Sequence, residues 1–554
     1  MIIGIAQLNY HIGNFDKNIS KIISAIDEAK QHGVDLILFS ELSISGYPPM
    51  DLLEREGFNN KCYEGIKQIA SHCDTIAAIV GGPLKNSELE GKNLFNSAFF
   101  LYDEDIKEVV NKSLLPTYDI FDEDRYFEPN KEFKVIHFKG KKLALTICED
   151  LWDQQEFETD FGKNNIYNTS PMDELVKFNP DVILNIAASP YSYLNESSKK
   201  EIFLSKARNY KLPVFYVNQM AAQTELIFEG GSMVINQQGE VYDELPFFEE
   251  DIRFYELDNV LNHEVLGIES EESSVIENIH NALVLGIKDY FSKMNFKKAT
   301  LGLSGGIDSA VCLVLAARAL RPENIKVLLM PSEYSSEGSI SDSVKLAENM
   351  GVSYEIIPIN DIVQSFKKAL NPSFGDLPED VTEENLQARV RSVLLMAHSN
   401  KFGYILLNTS NKSEAAVGYT TLYGDMSGGL SPLGDVYKTD VYNLARYINQ
   451  NKDIIPCDII SKPPSAELKP DQKDSDSLPE YAVLDQILFR YIELQRLSDR
   501  IIEDGFNPEI VHKIINLINA NEYKRYQAPP ILRISSKAFG SGRRIPMVAN
   551  YNYL

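Results

Sequence analysis

The sequence predicts an α/β protein of two domains, and three observations support this fold class. The chain has 554 residues, which is longer than one ordinary domain core. Short apolar runs typical of buried strands alternate with amphipathic stretches typical of helices. In the second half the order strand, loop, helix repeats, which implies a doubly wound parallel sheet. We place one domain at 1–245, a connecting segment at 246–274 and a second domain at 275–554.

The first half contains several apolar runs with the length of buried strands. They are IIGIAQL, VDLILFS, TIAAIVGG, LFNSAFFLY, KLALTIC, DVILNIAA and PVFYVNQ. Two amphipathic stretches predict helices, KNISKIISAIDEAKQH and SSKKEIFLSKARNY, and INQQGEVY predicts a hairpin turn. The stretch 246–274 is acidic and poor in periodicity, so we interpret it as the connection between the domains, draped over one of them.

The second half opens with a predicted helix, VIENIHNALVLGIKDYFSKM. Strands are then predicted at ATLGLS, IKVLLMP, VSYEIIPI and YILLNTS, and helices at SISDSVKLAENM and ENLQARVRSVLLMAHSN. In such a sheet, ligands bind at loops that follow the carboxyl ends of the strands. The later stretch KPPSAELKPDQKDSDSLPEY predicts an extended, mobile loop.

Composition excludes several classes of partner. The formal net charge of −26 argues against nucleic acid, whose binding needs clustered Lys and Arg. No apolar run approaches the ~18 residues of a membrane helix, so we expect no membrane partner. The cysteines are scattered and form no CxxC pair, which indicates neither a zinc site nor a disulfide framework, and a reducing cytoplasmic location fits best.

The stretch LGLSGGIDSAV, residues 301–311, predicts a turn that binds an anion. A strand ends at Ser304, two glycines allow a tight turn, and a helix begins near Asp308. Backbone N–H groups and hydroxyls at such a helix start bind phosphate. No Gly-Lys-Ser/Thr follows, so the turn is not a Walker A loop. The alternative is an ordinary strand–turn–helix with small residues for packing.

The segment SGGIDS resembles the pyrophosphate-binding loop of the N-type ATP pyrophosphatases. These enzymes adenylate an acceptor with ATP and let a nitrogen nucleophile displace AMP. Further stretches resemble the NAD synthetase family, and together they cover 276–554. They are MPSEYSSEGSISD, ENLQARVRS, NTSNKSEAAVGYTTLYGDMSGGLSPLGDVYKTDV and EYKRYQAPP.

The resemblance implies roles for particular residues. ATP would contact Thr409 and the loop formed by Gly302, Leu303, Ser304, Gly305, Gly306, Ile307, Asp308 and Ser309. Mg²⁺ would be held by Asp308 and Glu414. The acceptor, deamido-NAD, would contact Asn385, Glu414, Tyr419 and Lys524, with Arg389 as a candidate phosphate partner. Structural alternatives are a first-turn helix residue for Glu414, a surface charge for Lys524 and a helix cap for Asn385.

In the first half, Cys148 ends an apolar run and precedes two acids, Glu149 and Asp150. Acids make a thiolate harder to form, so this cysteine is either inert or activated by residues from elsewhere. Glu41 and Lys112 also follow predicted strands. A carboxylate base and an ammonium at the same sheet edge would activate the thiol, with Lys112 favouring the thiolate and stabilising an oxyanion. A sharp turn after Cys148 would point the two acids away from the sulfur.

Three stretches, FSELSISGYPP, NKSLLPTY and TICEDLW, resemble the surroundings of the Glu-Lys-Cys triad of the nitrilase/amidase superfamily. That resemblance implies a four-layer α/β/β/α sandwich in which Glu41, Lys112 and Cys148 are catalytic. It further implies that Tyr118 and Ser189 bind glutamine. Asn195 stands where family members often carry a basic residue for the glutamine carboxylate, so Lys199 or Lys200 is a candidate substitute. The stretch 217–232 also resembles the family and is expected to line the amidase pocket.

The joined halves resemble the glutamine-dependent NAD synthetase family over nearly the whole chain. This implies ATP-dependent amidation of deamido-NAD to NAD by ammonia from L-glutamine, giving AMP, diphosphate and glutamate. It also implies a sheltered passage for ammonia and a homo-oligomer with synthetase sites at subunit interfaces. The alternatives are another AMP-forming carbon–nitrogen ligase, an amidase joined to a regulatory nucleotide-binding module, and a nucleotide sensor without turnover.

Overall fold

The structure is a computed structural model that describes residues 1–153, 167–194, 196–262, 273–470 and 472–551. The chain divides into two compact units, Met1–Glu272 and Ser273–Leu554. Among the described residues, no helix has both the length and the apolar character needed to cross a membrane. Each unit is described by itself below.

The first unit contains two mixed β-sheets. One has the strand order β14-β1-β2-β3-β4-β5, the other has the order β13-β12-β9-β8-β7-β6, and β10 and β11 form a separate hairpin. The strands are β1 (Ile2–Gln7), β2 (Leu36–Leu38), β3 (Ala77–Lys85), β4 (Leu94–Tyr102), β5 (Asp105–Asn111), β6 (Ile136–Phe138), β7 (Lys141–Ile147), β8 (Val182–Ala187), β9 (Val214–Asn218), β10 (Met220–Gln223), β11 (Leu226–Glu229), β12 (Met233–Ile235), β13 (Val241–Glu244) and β14 (Asp251–Glu256).

Helices cover the outer faces of these sheets. They are α1 (Phe15–Gln31), α2 (Glu56–Ala70), α3 (Pro171–Leu175), α4 (Glu196–Tyr210) and α5 (Leu257–Leu261). Alternate residues of β2 face opposite layers, because Leu38 packs in the core shared with the second sheet while Ile37 packs against α1 and α2. Helix α3 packs on β7 and α4 packs on β12. The layers are therefore helix, sheet, sheet, helix, and the predicted four-layer sandwich is confirmed.

The segment expected to connect the domains belongs largely to the first unit. Strand β14 pairs antiparallel with β1, with Phe254 opposite Gly4. Ile252 and Phe254 pack on the side of α1, and Tyr255 packs on the opposite face. Acidic neighbours mask this alternation of period two in the sequence, which is why the segment looked irregular. The residues 263–272 of the expected connection lie outside the described residues.

The second unit contains a parallel sheet with the order β17-β16-β15-β18. Its strands are β15 (Lys298–Gly302), β16 (Ile325–Leu329), β17 (Ser353–Ile356) and β18 (Tyr404–Leu406). Its helices are α6 (Val275–Lys293), α7 (Ile307–Leu320), α8 (Glu337–Met350), α9 (Asn360–Phe374), α10 (Val381–Phe402), α11 (Lys412–Val417), α12 (Lys438–Ile448), α13 (Cys457–Ser461), α14 (Tyr481–Ile492), α15 (Ser498–Glu503), α16 (Pro508–Ala520) and α17 (Glu522–Arg525).

The strand order of this sheet creates one favoured place for a ligand. From β15 the chain passes outward through β16 to β17, and it then returns to β18 on the other side of β15. The direction of winding therefore reverses between β15 and β18. A crevice opens at such a switch point, beyond the carboxyl ends of the strands. The predicted doubly wound parallel sheet is confirmed.

Candidate active sites

The three residues predicted to catalyse amide hydrolysis lie at the ends of three strands. Glu41 lies in the turn after β2, Lys112 directly follows β5 and Cys148 directly follows β7. Gly81 of β3 lies against the turn that holds Glu41, because a Cβ at this glycine would come within 2.4 Å of the backbone nitrogen of Leu42. The glycine thus allows the turn to pack closely on β3.

The structure brings Glu41 and Lys112 into direct contact. Lys112 Nζ lies 2.7 Å from Glu41 Oε1, and neither side chain is exposed. The second oxygen of Glu41 accepts the backbone N–H of Ala188 over 3.0 Å. An ammonium and a carboxylate are therefore held together at a buried position.

Sequence reasoning missed a second acid in this cluster. Lys112 Nζ also lies 2.8 Å from Glu123 Oε2, and the Tyr47 hydroxyl donates to Glu123 Oε1 over 2.9 Å. Burial and the charge of Glu41 raise the pKa of Glu123, whereas Lys112 acts to lower it. Although burial acts to lower the pKa of Lys112, Glu123 and Glu41 raise it well above its usual value. Lys112 is thus a permanent cation.

The backbone turns sharply at Cys148. Cys148 has a φ of 45°, a conformation unusual for a residue with a side chain, and it begins the 3₁₀ turn Cys148–Leu151. Asp150 accepts backbone N–H groups from Ser113, Leu114 and Ile147 over 2.8–3.1 Å. Asp150 thereby ties the cysteine turn to the segment that follows Lys112.

The charges around Cys148 do not balance as we expected from the sequence. Burial and the nearby Glu41 raise the pKa of the Cys148 thiol well above its usual value, and Lys112 offsets only part of this effect. Glu149 also acts to raise that pKa, so its carboxylate is not remote from the sulfur. Burial raises the pKa of both Glu149 and Asp150 to about 7. The resting cysteine is therefore a thiol.

The residues predicted to bind glutamine lie around this cluster, with one outside the described residues. The Tyr118 hydroxyl donates to Glu149 over 2.9 Å. Ser189 follows β8 and exchanges backbone hydrogen bonds with the Asn218 side chain. Asn195 lies outside the described residues.

The two lysines proposed as substitutes for a basic residue at Asn195 already have acidic partners. Lys199 Nζ bonds Glu229 over 2.7 Å, and the pair is buried. Lys200 Nζ bonds Glu244 over 2.8 Å. Each ammonium is therefore neutralised locally, which weakens both lysines as candidates for binding the glutamine carboxylate.

In the second unit a cavity of about 320 Å³ opens at the predicted switch point. The ends of β15, β16 and β18 line it, together with most of the SGGIDS loop, Thr409 and the segment 462–468. Gly305 has a φ of 80°, and a Cβ there would come within 2.5 Å of the Ser339 carbonyl oxygen. The glycine lets the loop turn tightly beside the start of α8. The segment 462–468, expected to be a mobile loop, is a wall of this cavity.

The two predicted metal ligands, Asp308 and Glu414, both line the cavity, and Lys438 lies between them. Lys438 Nζ lies 2.5 Å from Asp308 Oδ2 and 3.5 Å from Glu414 Oε1. Burial and the charge of Asp308 raise the pKa of Glu414 to about 8. Sequence reasoning missed Lys438, because in the motif DVYKTDV it resembles any lysine near a helix start.

Of the four residues predicted to contact the acceptor, Glu414 is the metal ligand described above, and the other three meet at the segment 418–421. Tyr419 lines the cavity. Asn385 accepts the Thr421 hydroxyl over 2.7 Å, and Lys524 Nζ donates to the carbonyls of Gly418 and Thr420 over 2.7 and 2.8 Å. Asn385 and Lys524 thus hold this wall from behind instead of lining the cavity.

Arg391, rather than the predicted Arg389, lines the cavity from α10. Arg389 is exposed and donates to the Leu422 carbonyl over 3.2 Å. Burial lowers the pKa of Arg391 to about 10. The face of α10 on the cavity has helical spacing and consists of Ala388, Arg391, Ser392 and Leu395. That period was present in the sequence and would have separated the two arginines.

Comparison with known proteins matches two different family models to the two parts of the chain. A carbon–nitrogen hydrolase family model matches residues 2–155, and an NAD synthase family model matches 279–528. A glutamine-dependent NAD(+) synthetase of Synechocystis sp. is 43% identical, with 99% of each chain covered. The solved glutamine-dependent NAD+ synthetase of Acinetobacter baumannii, in complex with ADP, is 39% identical with a TM-score of 0.78, over 99% of this chain and 98% of that one.

A second solved structure supports the fold alone. It is a glutamine-dependent NAD(+) synthetase from Cytophaga hutchinsonii, 18% identical with a TM-score of 0.83 over 99% of this chain and 98% of that one. Together the matches define a class of enzyme that joins a carbon–nitrogen hydrolase domain to an NAD synthase domain. The chain belongs to the glutamine-dependent NAD(+) synthetase family.

Proposed function

We propose that this enzyme converts deamido-NAD to NAD in its second unit, with consumption of ATP, using ammonia that its first unit releases from L-glutamine. The observation that carries this proposal is the presence of both sites in one chain that aligns end to end with the family. An intact Glu41–Lys112 pair beside Cys148 and an intact SGGIDS loop disfavour a degenerate partner domain.

In the first unit, Cys148 is the proposed nucleophile. Because its resting form is a thiol, Glu41 takes the proton as sulfur attacks the amide carbon of glutamine. Lys112 stabilises the oxyanion that forms. Glu41 then returns the proton to the leaving nitrogen, ammonia departs and a thioester remains. Water, deprotonated by Glu41, hydrolyses the thioester to glutamate and restores the thiol.

In the second unit, the SGGIDS loop and Lys438 are the proposed contacts of the ATP phosphates. The nicotinate carboxylate of deamido-NAD attacks the α-phosphate, and diphosphate leaves against the loop. The helix start at Ile307 supplies backbone N–H donors for that anion. Ammonia then attacks the adenylated carbonyl carbon, and AMP leaves as NAD forms. Ammonia must reach this site unprotonated, since ammonium is not a nucleophile.

The carboxylates of the cavity fit the Mg²⁺ ion that accompanies ATP. Mg²⁺ prefers one or two carboxylates and completes its shell with water and substrate phosphates. Asp308 and Glu414 supply such a pair, and among the described residues no group of three or more ligand side chains forms a complete protein cage. When bound, the ion would neutralise charge on the phosphates. Asp308 and Glu414 are proposed to hold it.

We also propose a homo-oligomer that associates through an exposed apolar face of the second unit. Val393 and Met396 of α10 are 65% and 38% exposed, and Tyr423 is 69% exposed. Arg389 lies on the same side of α10 and contacts the Leu422 carbonyl, so the apolar face adjoins the segment 418–421. A second copy would cover this apolar surface beside the synthetase site. Light scattering should show weaker association for Val393→Asp than for a control, Val275→Asp, whose valine is exposed on α6.

The cytoplasm is the proposed location. All five cysteines lie in the described part of the chain, and all are free thiols in a fold that needs no disulfide.

The test of the two-site function compares nitrogen sources. NAD formation from deamido-NAD, ATP and Mg²⁺ is measured with glutamine or with ammonium chloride, for wild type and Cys148→Ala. We expect the variant to lose at least ~10³-fold with glutamine and to keep the ammonium-driven rate, because only the nucleophile is removed. Cys62→Ala, which removes another buried thiol of the same unit, is the matched control and should keep both rates. Glutamine use by Cys148→Ala would contradict the assignment.

A further inference from the structure

The buried amide of Asn96 contacts both acids of the glutaminase cluster. Asn96 lies on β4, and its side-chain Nδ2 donates to Glu41 Oε1 over 2.7 Å and reaches Glu123 Oε2 over 3.4 Å. We propose that Asn96 is a positioning residue for glutamine hydrolysis, which orients the Glu41 carboxylate to accept the proton of Cys148. This inference rests on the proposed glutaminase reaction and assigns a new residue to it.

The other end of the same amide argues against a purely structural role. Asn96 is 1% exposed, and no donor among the described residues reaches its Oδ1. A buried amide oxygen without a partner destabilises a fold, and an apolar side chain would avoid that cost. Ala98 and Phe100, which are buried on the same strand, are apolar. The opposite orientation of the amide would place Oδ1 against the two carboxylates, which would repel it. The observed orientation therefore leaves Oδ1 without a partner and lets Nδ2 donate to the acids.

Asn96 also distinguishes the two acids that share Lys112. The ammonium contacts both Glu41 and Glu123 at similar distances, so it does not by itself favour the position of one carboxylate over the other. The shorter contact of Asn96 is with Glu41 Oε1, so the amide constrains the orientation of Glu41 more than that of Glu123. With the N–H of Ala188 on the other oxygen, the plane of the Glu41 carboxylate is fixed.

The backbone of Asn96 makes a separate contribution that a side-chain change would leave in place. The Lys112 N–H donates to the Asn96 carbonyl over 2.8 Å, which anchors the point where β5 ends. Side-chain variants of Asn96 therefore keep this anchor of Lys112. Their effects report on the amide group and its contacts with the two acids.

The test uses Asn96→Ala, which removes the donor, and Asn96→Asp, which keeps the shape and replaces the donor by an acid. We expect both to lower kcat for glutamine-driven NAD formation by about 10- to 100-fold, with little change in the KM for glutamine. Ammonium-driven synthesis should keep its wild-type rate.

Asn236→Ala is the matched control, since Asn236 is equally buried but bonds only within the hairpin between β12 and β13, as far as the described residues show. It should keep the wild-type ratio of glutamine-driven to ammonium-driven rates. If Asn96→Ala does not accumulate as folded protein, Asn96→Asp carries the test. An unchanged kcat for glutamine-driven synthesis, or an equal fall with both nitrogen sources, would overturn the inference. Wild type that uses ammonium but not glutamine would overturn the glutaminase function itself, and this inference with it.

Discussion

At the scale of residues, Cys148 shows how burial outweighs neighbours in the sequence. The two acids that follow it differ in role, because Asp150 accepts three backbone N–H groups whereas Glu149 keeps an electrostatic effect on the sulfur. Burial and Glu41 keep the thiol protonated until substrate is attacked. The site therefore depends on a nearby base more than on a preformed thiolate.

Replacing Glu149 should make the thiol more reactive. Glu149 has a pKa of about 7, so it becomes negative as the pH rises through 7, and its charge then raises the pKa of Cys148. We expect Glu149→Gln to speed alkylation of Cys148 by iodoacetamide at pH 8 by roughly 3- to 10-fold. The difference should disappear below pH 6, where wild-type Glu149 is protonated.

Peptide mass spectrometry must read this alkylation at Cys148, because Cys457 is exposed and would also react. Glu174→Gln, at a partly exposed position on α3 paired with Lys177, is the control and should react like wild type. Equal alkylation rates for Glu149→Gln and wild type at pH 8 would show that the Glu149 charge does not reach the sulfur.

The sequence predicted the site residues that lie at strand ends and missed those that only folding brings into the site. Glu41 and Cys148 follow apolar runs and Lys112 follows the strand DIKEVVN, so the sequence places all three at strand ends. Glu123 lies in the acidic run DEDR, where nothing distinguishes a buried acid from solvated ones. Asn96 lies inside the strand LFNSAFF and resembles an ordinary polar interruption.

At the scale of elements, the turn from β15 into α7 depends on Gly305. Gly305 combines a positive φ with close approach to the backbone of α8 at Ser339. We expect Gly305→Ala to lower NAD formation at least ~100-fold with either nitrogen source, because the added Cβ must displace the loop that binds the phosphates. Release of glutamate from glutamine, measured separately, should persist.

Gly351→Ala is the control that separates backbone strain at a positive φ from the steric contact that a Cβ makes with neighbouring atoms. Gly351 also has a positive φ, of 65°, but nothing lies within 4 Å of the position of its Cβ. The substitution should cost about 1 kcal/mol of stability without lowering activity. Normal NAD formation by Gly305→Ala would mean that the loop tolerates displacement from α8.

Elements with a clear apolar pattern were predicted from the sequence, whereas an element defined by pairing with a distant segment was not. The strands β15, β16 and β18 are short apolar runs that stand out in the sequence. Strand β14 was missed because Glu249, Glu250 and Asp251 precede its alternating residues. The pairing of β14 with β1 is a contact between the two ends of the first unit, which no local pattern reveals.

At the scale of the whole molecule, the division into two units lets each activity serve as a control for the other. The sequence indicates a division near Glu272 and Ser273, because an irregular acidic stretch precedes the helix α6. The contribution of buried charges to stability is harder to predict, because such residues resemble surface residues in the sequence. Lys412, in NKSEAAV, is the clearest case.

Lys412 is fully buried and joins segments that are distant in the second unit. Its Nζ lies 2.8 Å from Asp435 Oδ1 and from Ser535 Oγ, and it also bonds Glu493 at the end of α14. Asp435 in turn accepts the backbone N–H groups of Ile534 and Ser535. The ammonium therefore neutralises two buried carboxylates and fixes the segment around 534–537 against α11.

Lys412→Met should destabilise the second unit selectively. The variant leaves Asp435 and Glu493 buried without their cation, which costs about 3–5 kcal/mol. We expect ammonium-driven NAD formation to be lost at a lower temperature than in wild type, while glutaminase activity in the same sample keeps its wild-type heat resistance. Lys345→Met, at an exposed position on α8, should leave both activities unchanged. If both activities of Lys412→Met fell at the same lower temperature, unfolding of the second unit would carry the first with it, and the two activities could not serve as separate controls.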